Sequence, residues 1–152
     1  MDDWSRMTHL QLGRHAELLV TLEFLRCGYE VYRAEVDERG IDLLVRTRDG
    51  GVFDIQVKSS RNLNYIFYRN ESFPLRENVY GGAVLYLEKN PPQAFLIPSI
   101  VWSEPSELFV SRDYSGLKSK PEWGMNLSQK NLKLLEPFKI GVVLAKAPFS
   151  VS

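Results

Sequence analysis

The sequence predicts an α/β fold in which a first helix packs on a mixed sheet through an α-β-β-β start, with flanking helices. Three observations carry this. Residues 8–27 run without proline and place apolar residues at helical spacing, three strand-like segments separated by turn residues follow, and further apolar segments beyond residue 64 complete the layer. The 152 residues, 44% of them hydrophobic, suit one domain over 1–152 able to bury a core.

The first helix is rich in Leu, Glu and Arg and stops at Gly28, a residue that ends helices because it adopts the left-handed conformation without strain. At about 100° per residue, Leu12, Ala16, Leu19, Val20, Phe24 and Cys27 share one broad face, with Gly13 inside it and Glu17 on its edge. Leu18, Leu22 and Leu25 fall on the opposite side, so the helix is expected to be covered on two sides. Strands are expected over 29–36, 41–48 and 52–60, joined by turns at 37–40 and 49–51 into an antiparallel meander. An aromatic stretch at 64–68 and strands at 82–88 and 94–98 follow. Ser128 opens a short capped helix over 129–135 before Pro137, and residues 112–126, mixing Gly, Pro, Ser and charges, read as loop.

Composition excludes several classes. There is no apolar run of membrane-spanning length, and the Met1, Asp2, Asp3, Trp4 start lacks the parts of a signal peptide, so the expectation is a soluble, cytoplasmic protein with no membrane partner. Cys27 is the single cysteine and reads as a small buried apolar residue; with His9 and His15 alone beside it no zinc cluster can be assembled. Nineteen basic and nineteen acidic side chains balance, so a nucleic-acid surface must be a local patch.

The central hairpin carries the chemistry. Side chains alternate along a strand, so Asp54, Gln56 and Lys58 project one way while Phe53, Ile55 and Val57 project into the core. A three-residue loop of Asp49, Gly50 and Gly51 sets Asp42 opposite Lys58 with Cβ atoms about 5 Å apart, and Gln56 as diagonal neighbour. A two-residue turn would instead place Asp42 opposite Val57. The expectation therefore rests on an odd loop or a bulge, which the doubled glycine permits. Phosphodiester hydrolysis needs a hard cation, an activated water and a group that orients the water. Asp42 can hold Mg2+ through a carboxylate oxygen, Gln56 through a neutral carbonyl oxygen and Val57 through its main-chain carbonyl, while Lys58 can position the nucleophile or stabilise developing charge.

Three segments resemble the PD-(D/E)XK nuclease superfamily, which includes restriction endonucleases and archaeal Holliday-junction resolvases. They are Gly13 to Glu17 on the helix, Gly40 to Val45 on one strand, and Ile55 to Ser60 on the next, within roughly residues 10–61. The resemblance implies a restriction-endonuclease-like core, with residues 62–152 completing the sheet and adding loops. It implies metal binding by Asp42, Gln56 and Glu17, catalysis by Lys58, and Mg2+-dependent cleavage of DNA, with Mn2+ as a substitute. Gln56 stands where the family's triplet has an acid, and Ile41 where a proline precedes the aspartate. The first departure removes one negative charge, which makes Glu17 the source of the second carboxylate. A symmetric homodimer would let two such sites cut both strands of a duplex.

Other residues have plainer readings beside the functional ones. Ser59, Ser60 and Arg61 leave the strand directly after Lys58 and can contact phosphates, although strand exits are commonly polar. Tyr65, Phe67, Tyr68 and Arg69 offer stacking faces and a cation, or a strand packed on the core; Trp102, Trp123, Lys118 and Lys120 stand similarly. His15 reads as a surface residue, Glu35 and Asp37 as a solvated hairpin end, and Glu23 as a rival to Glu17 for the inward acidic role. Two further readings of the whole chain stay open: a nuclease fold kept as a nucleic-acid-binding module, and an interaction protein in which Asp42 and Lys58 form a structural pair.

Overall fold

The computed structural model describes residues 3–35 and 40–150; the expected strand end at Val36 and the turn residues Asp37, Glu38 and Arg39 lie outside them. The first helix, α1 (His9–Arg26), begins as a capping box. Thr8 Oγ1 accepts from Gln11 N at 3.1 Å and Gln11 Oε1 accepts from Thr8 N at 2.8 Å, so two otherwise orphaned N–H groups are satisfied. Thr8→Ala is expected to lower the stability by about 1 kcal/mol in urea unfolding.

Five strands follow in one sheet: β1 (Glu30–Arg33), β2 (Leu43–Arg46), β3 (Val52–Arg61), β5 (Val79–Tyr86) and β6 (Gln93–Pro98), in the order β1-β2-β3-β5-β6. β1, β2 and β3 form the expected antiparallel meander, β3 and β5 run parallel, and β5 and β6 are again antiparallel, which makes the sheet mixed. A second sheet of β4 (Ile66–Arg69), β8 (Glu122–Met125) and β7 (Phe109–Arg112) packs on the opposite face from α1. The short helix α2 (Ile140–Leu144) closes the chain near β6.

Two cores sandwich the larger sheet. Leu12, Ala16, Val20 and Phe24 of α1 meet Leu43, Val45, Phe53, Ile55 and Val57 on one face. On the other face Val79, Ala83, Leu85, Phe95 and Ile97 meet Ile66, Tyr68, Phe73 and Trp102. With both faces covered, every residue of β5 is buried, as a central strand beside a parallel neighbour requires.

Several expectations are corrected. The loop expected at 112–126 contains the end of β7 and all of β8, because the backbone pairing of β8 with β4 and of β7 with β8 overrides a composition that reads as turn. Gly81 and Gly82 sit inside β5 rather than opening it. The Tyr68 ring lies across Gly81, where a Cβ would come within 2.7 Å of it, and the Tyr68 hydroxyl donates to Gly82 O at 2.8 Å. Ser128 caps a turn, its Oγ accepting from Asn131 N, and the following helical stretch is a 3-10 helix, Leu132–Phe138, with Pro137 inside it. Leu18, Leu22 and Leu25 are about half exposed, at 46%, 56% and 50%, so within this chain α1 is covered on one side. Cys27 is intermediate in exposure and packs at the margin of the α1 core. His15 is no free surface residue: its Nδ1 lies 2.7 Å from the Tyr86 hydroxyl, and its ring packs edge-on to Tyr86 and tilted against Trp4.

Burial pushes the Tyr68 phenol above its ordinary value of 10.0, with a smaller push from the Asp42 charge, and moves Tyr86 the same way. An unfolded tyrosine ionises near 10.0 while the folded one resists. The stability from keeping these phenols neutral is therefore complete below that pH and is lost as pH rises through the folded values. The urea midpoint is expected to fall above pH ~10, and Tyr68→Phe to flatten that fall while costing about 1 kcal/mol at neutral pH for the lost bond to Gly82.

Candidate active site

The site is built on the β2–β3 hairpin. Thr47 N donates to Gly51 O at 2.8 Å, and Arg48, Asp49 and Gly50 form a three-residue loop with φ +92° at Gly50. The Thr47 hydroxyl and Gly51 N–H both donate to Asp49 Oδ1, which holds its carboxyl below the ordinary range. The loop is odd, as expected, but begins one residue earlier than the one proposed from the doubled glycine. The ladder accordingly pairs Leu43 with Ile55 and Leu44 with Asp54, and its continuation points Asp42 at Gln56 rather than at Lys58. An odd loop keeps the parity of the faces, so the correction moves the partner without moving the side.

At Asp42 the ladder itself shifts. Asp42 N donates to Ile55 O at 3.0 Å, and the Asp42 carboxylate accepts from Val57 N at 2.7 Å. A main-chain N–H of a strand points within the plane of its sheet, so this carboxylate sits where β2 peels away from β3 and takes the place of a strand partner. Gln56 lies between its two contacts. Gln56 is 6% exposed, and its amide nitrogen donates to Gly40 O, leaving the carbonyl oxygen as its remaining polar atom. Lys58, two residues on and on the same face, is exposed and takes part in no ion pair with any described residue. The polar row Asp54, Gln56, Lys58 and the core row Phe53, Ile55, Val57 are as the alternation predicts.

A cleft of about 610 Å³ opens beside this row, lined by Gly40, Asp54, Gln56, Glu71, Ser72 and Arg76 among others. Glu71 and Arg76 went unnoticed in the sequence because the turn after β4 brings them there, and no local spacing signals that. Glu17 is partly buried and ion-paired to Arg14 at 3.8 Å and to Arg33 of β1 at 3.6 Å. It therefore lies over the β1–β2 edge on the α1 side. Glu23 pairs with Arg26 at 3.3 Å along the helix. Glu35 is exposed, whereas Asp37 lies outside the described residues.

The strand exit is put to structural use. Ser60 is buried, its hydroxyl donates to Asn62 O and Asn64 O, and it accepts from Asn64 N, so it shapes the turn out of β3. Arg61 reaches back to Met7 O. Ser59, half-buried, carries no such bond among the described residues.

The donor set suits a hard divalent cation of the magnesium type, which binds through one or two carboxylates and keeps several waters. Asp42 could contribute charge, and the Gln56 and Val57 carbonyls neutral oxygens. Among the described residues no three His, Cys, Asp or Glu side chains converge into a metal cluster.

No family model matches the sequence, and no curated protein matches it. Solved structures do. The Holliday junction resolvase Hjc from Archaeoglobus fulgidus, an archaeal hyperthermophile, superposes with a TM-score of 0.54 at 13% identity, covering 88% of this chain and 96% of that one. A bacterial homing endonuclease matches with a TM-score of 0.46 at 20% identity over 65% of this chain and 71% of its own. At 13% identity the resolvase match speaks for the backbone alone: α1, the β1–β2–β3 meander and the parallel β5 form the mixed α/β arrangement of a restriction-endonuclease-like fold.

Proposed function

We propose that this chain is a Mg2+-dependent endonuclease that hydrolyses phosphodiester bonds in DNA, with branched or otherwise structured DNA as the favoured substrate. The observation that carries it is the contact of the Asp42 carboxylate with Val57 N, which holds an acid against the strand segment that presents Gln56 and Lys58. In this reading Asp42, Gln56 and the Val57 carbonyl hold the ion, with Glu17 as the second carboxylate and Mn2+ as a substitute. The bound ion supplies charge neutralisation at the phosphate and lowers the pKa of a water. Lys58 orients the attacking water and meets the charge that develops on the phosphoryl oxygens. Ser59 donates to a flanking phosphate. The exposed Leu18, Leu22 and Leu25 stripe is the face through which two copies would pair to cut both strands.

The test is incubation of wild type, Asp42→Ala and Lys58→Ala with linear, branched and single-stranded DNA and RNA, with Mg2+ or Mn2+. Cleavage by wild type and loss in both variants is the expected result; equal cleavage by all three sinks the assignment. A second reading is favoured by the same two bonds, because Asp42 to Val57 and Gln56 to Gly40 also give both residues structural duties. A folded wild type that binds DNA and cuts no substrate would support that binding module.

A further inference from the structure

The structure resolves what the aromatic run after β3 does. Ile66 and Tyr68 turn into the core between the sheets, while Tyr65, Phe67 and Arg69 project from the outer face of the β4-β8-β7 sheet. On that face Phe67, Gly124 and Val110 form one row and Arg69, Glu122 and Arg112 the next. The Tyr65 and Phe67 rings stack with centroids 6.0 Å apart and planes 22° from parallel. The Arg112 guanidinium lies 4.0 Å from the centre of the Tyr65 ring, and that of Arg69 5.1 Å from Phe67. The result is one column, Arg112, Tyr65, Phe67, Arg69, with two stacked rings between two guanidinium groups, lying across a sheet whose middle strand contributes a glycine beneath it. Any side chain at Gly124 would run into Tyr65.

We propose that this face is a binding platform for single-stranded nucleic acid, separate from the hairpin site. Bases stack on aromatic rings and equally on guanidinium planes, and the same guanidinium groups meet the backbone phosphates. The charge fits such an occupant. Neither Arg69 nor Arg112 is ion-paired to a described residue. Glu122, between them in the register, is buried and accepts from the Tyr114 hydroxyl at 3.1 Å, and the exposed Glu71 is neutralised by Lys120 at 3.0 Å. A duplex keeps its base faces stacked on one another and offers none to this column, so the platform selects unpaired strands. The proposal does not depend on the chain being a nuclease, yet the two surfaces are connected. Tyr68 of the same strand rests on Gly81, the register partner of Gln56.

The experiment is fluorescence anisotropy of fluorescein-labelled oligo-dT, oligo-rU and a hairpin duplex in EDTA at low salt, where cleavage cannot intervene. Wild type is expected to bind the single strands more tightly than the duplex. Phe67→Leu, which keeps apolar volume and removes the ring, weakens this by roughly 5- to 100-fold. The double variant Arg69→Ala, Arg112→Ala weakens it at least about 10-fold and flattens its dependence on salt. Lys133→Ala, an exposed lysine far along the chain, controls for simple loss of charge. A preference between dT and rU identifies the sugar and leaves the platform intact. Absence of binding by folded wild type, tighter duplex binding, or unchanged affinity in both variants with native near-ultraviolet circular dichroism overturns the proposal.

Discussion

Lys58→Ala is expected to lower DNA cleavage by about 100- to 10,000-fold, the range for removing a positioned proton-transfer or charge-stabilising group, and to leave stability nearly unchanged. The two halves of that result have one cause. Lys58 is exposed on β3 and joins no ion pair with a described residue, so the folded chain loses little when the ammonium goes. Surface substitutions of this kind stay within about 0.5 kcal/mol. A lysine kept for structure gives the opposite pattern, a lower unfolding midpoint and unaltered cleavage. Steady-state cleavage beside a thermal melt of the same preparation separates the two, and a wild-type rate in Lys58→Ala refutes its catalytic role.

Gln56→Glu should destabilise the metal-free protein by about 2–3 kcal/mol and regain most of that loss with Mg2+ or Mn2+. The native amide nitrogen donates to Gly40 O from a side chain that is 6% exposed. An introduced carboxylate has no hydrogen to offer there and sets its charge against the same carbonyl oxygen and near Asp42. Its folded pKa is raised for that reason. The penalty is therefore absent at pH values below the ordinary glutamate range, where the protonated acid can still donate to Gly40, and grows as pH rises through the folded value. Urea unfolding at pH 4 and pH 8, with and without cation, reads this directly. A variant as stable as wild type at pH 8 without metal contradicts the Gly40 contact, and one insensitive to divalent cations contradicts the ion site.

The legible part of the fold lay in strong local signals. The stripe Leu12, Ala16, Val20, Phe24 gave α1, Gly28 its stop, and the alternation from Phe53 to Lys58 sorted core from polar row, because helix and strand periodicities follow from the backbone alone. β8 was illegible because its four-residue segment pairs with β4, far away in sequence, and β7 because its only strand partner is β8. Gly81 and Gly82 misled for a related reason. A glycine weakens a strand reading when nothing nearby needs its lack of a side chain, and the Tyr68 ring against Gly81 and the Val57 and Val20 side chains against Gly82 come from other elements. His15, polar by helical position, was drawn into the Trp4 and Tyr86 cluster by residues before and well after it.

At the hairpin, the residue types and the shared side of Gln56 and Lys58 were determined by sequence, since a period of two admits no other arrangement in a strand. The partner of Asp42 was decided by tertiary structure. Where the loop begins, and where β2 leaves β3, depends on the bonds of Thr47, Asp49 and Gly51 and on the orphaned N–H of Val57 that Asp42 satisfies. The placement of Glu17 with Arg33, and of Glu71 and Arg76 beside Gln56, belongs to the same category. Contacts between elements are set by packing and by backbone hydrogen bonds left to be satisfied, and no spacing within a single element encodes them.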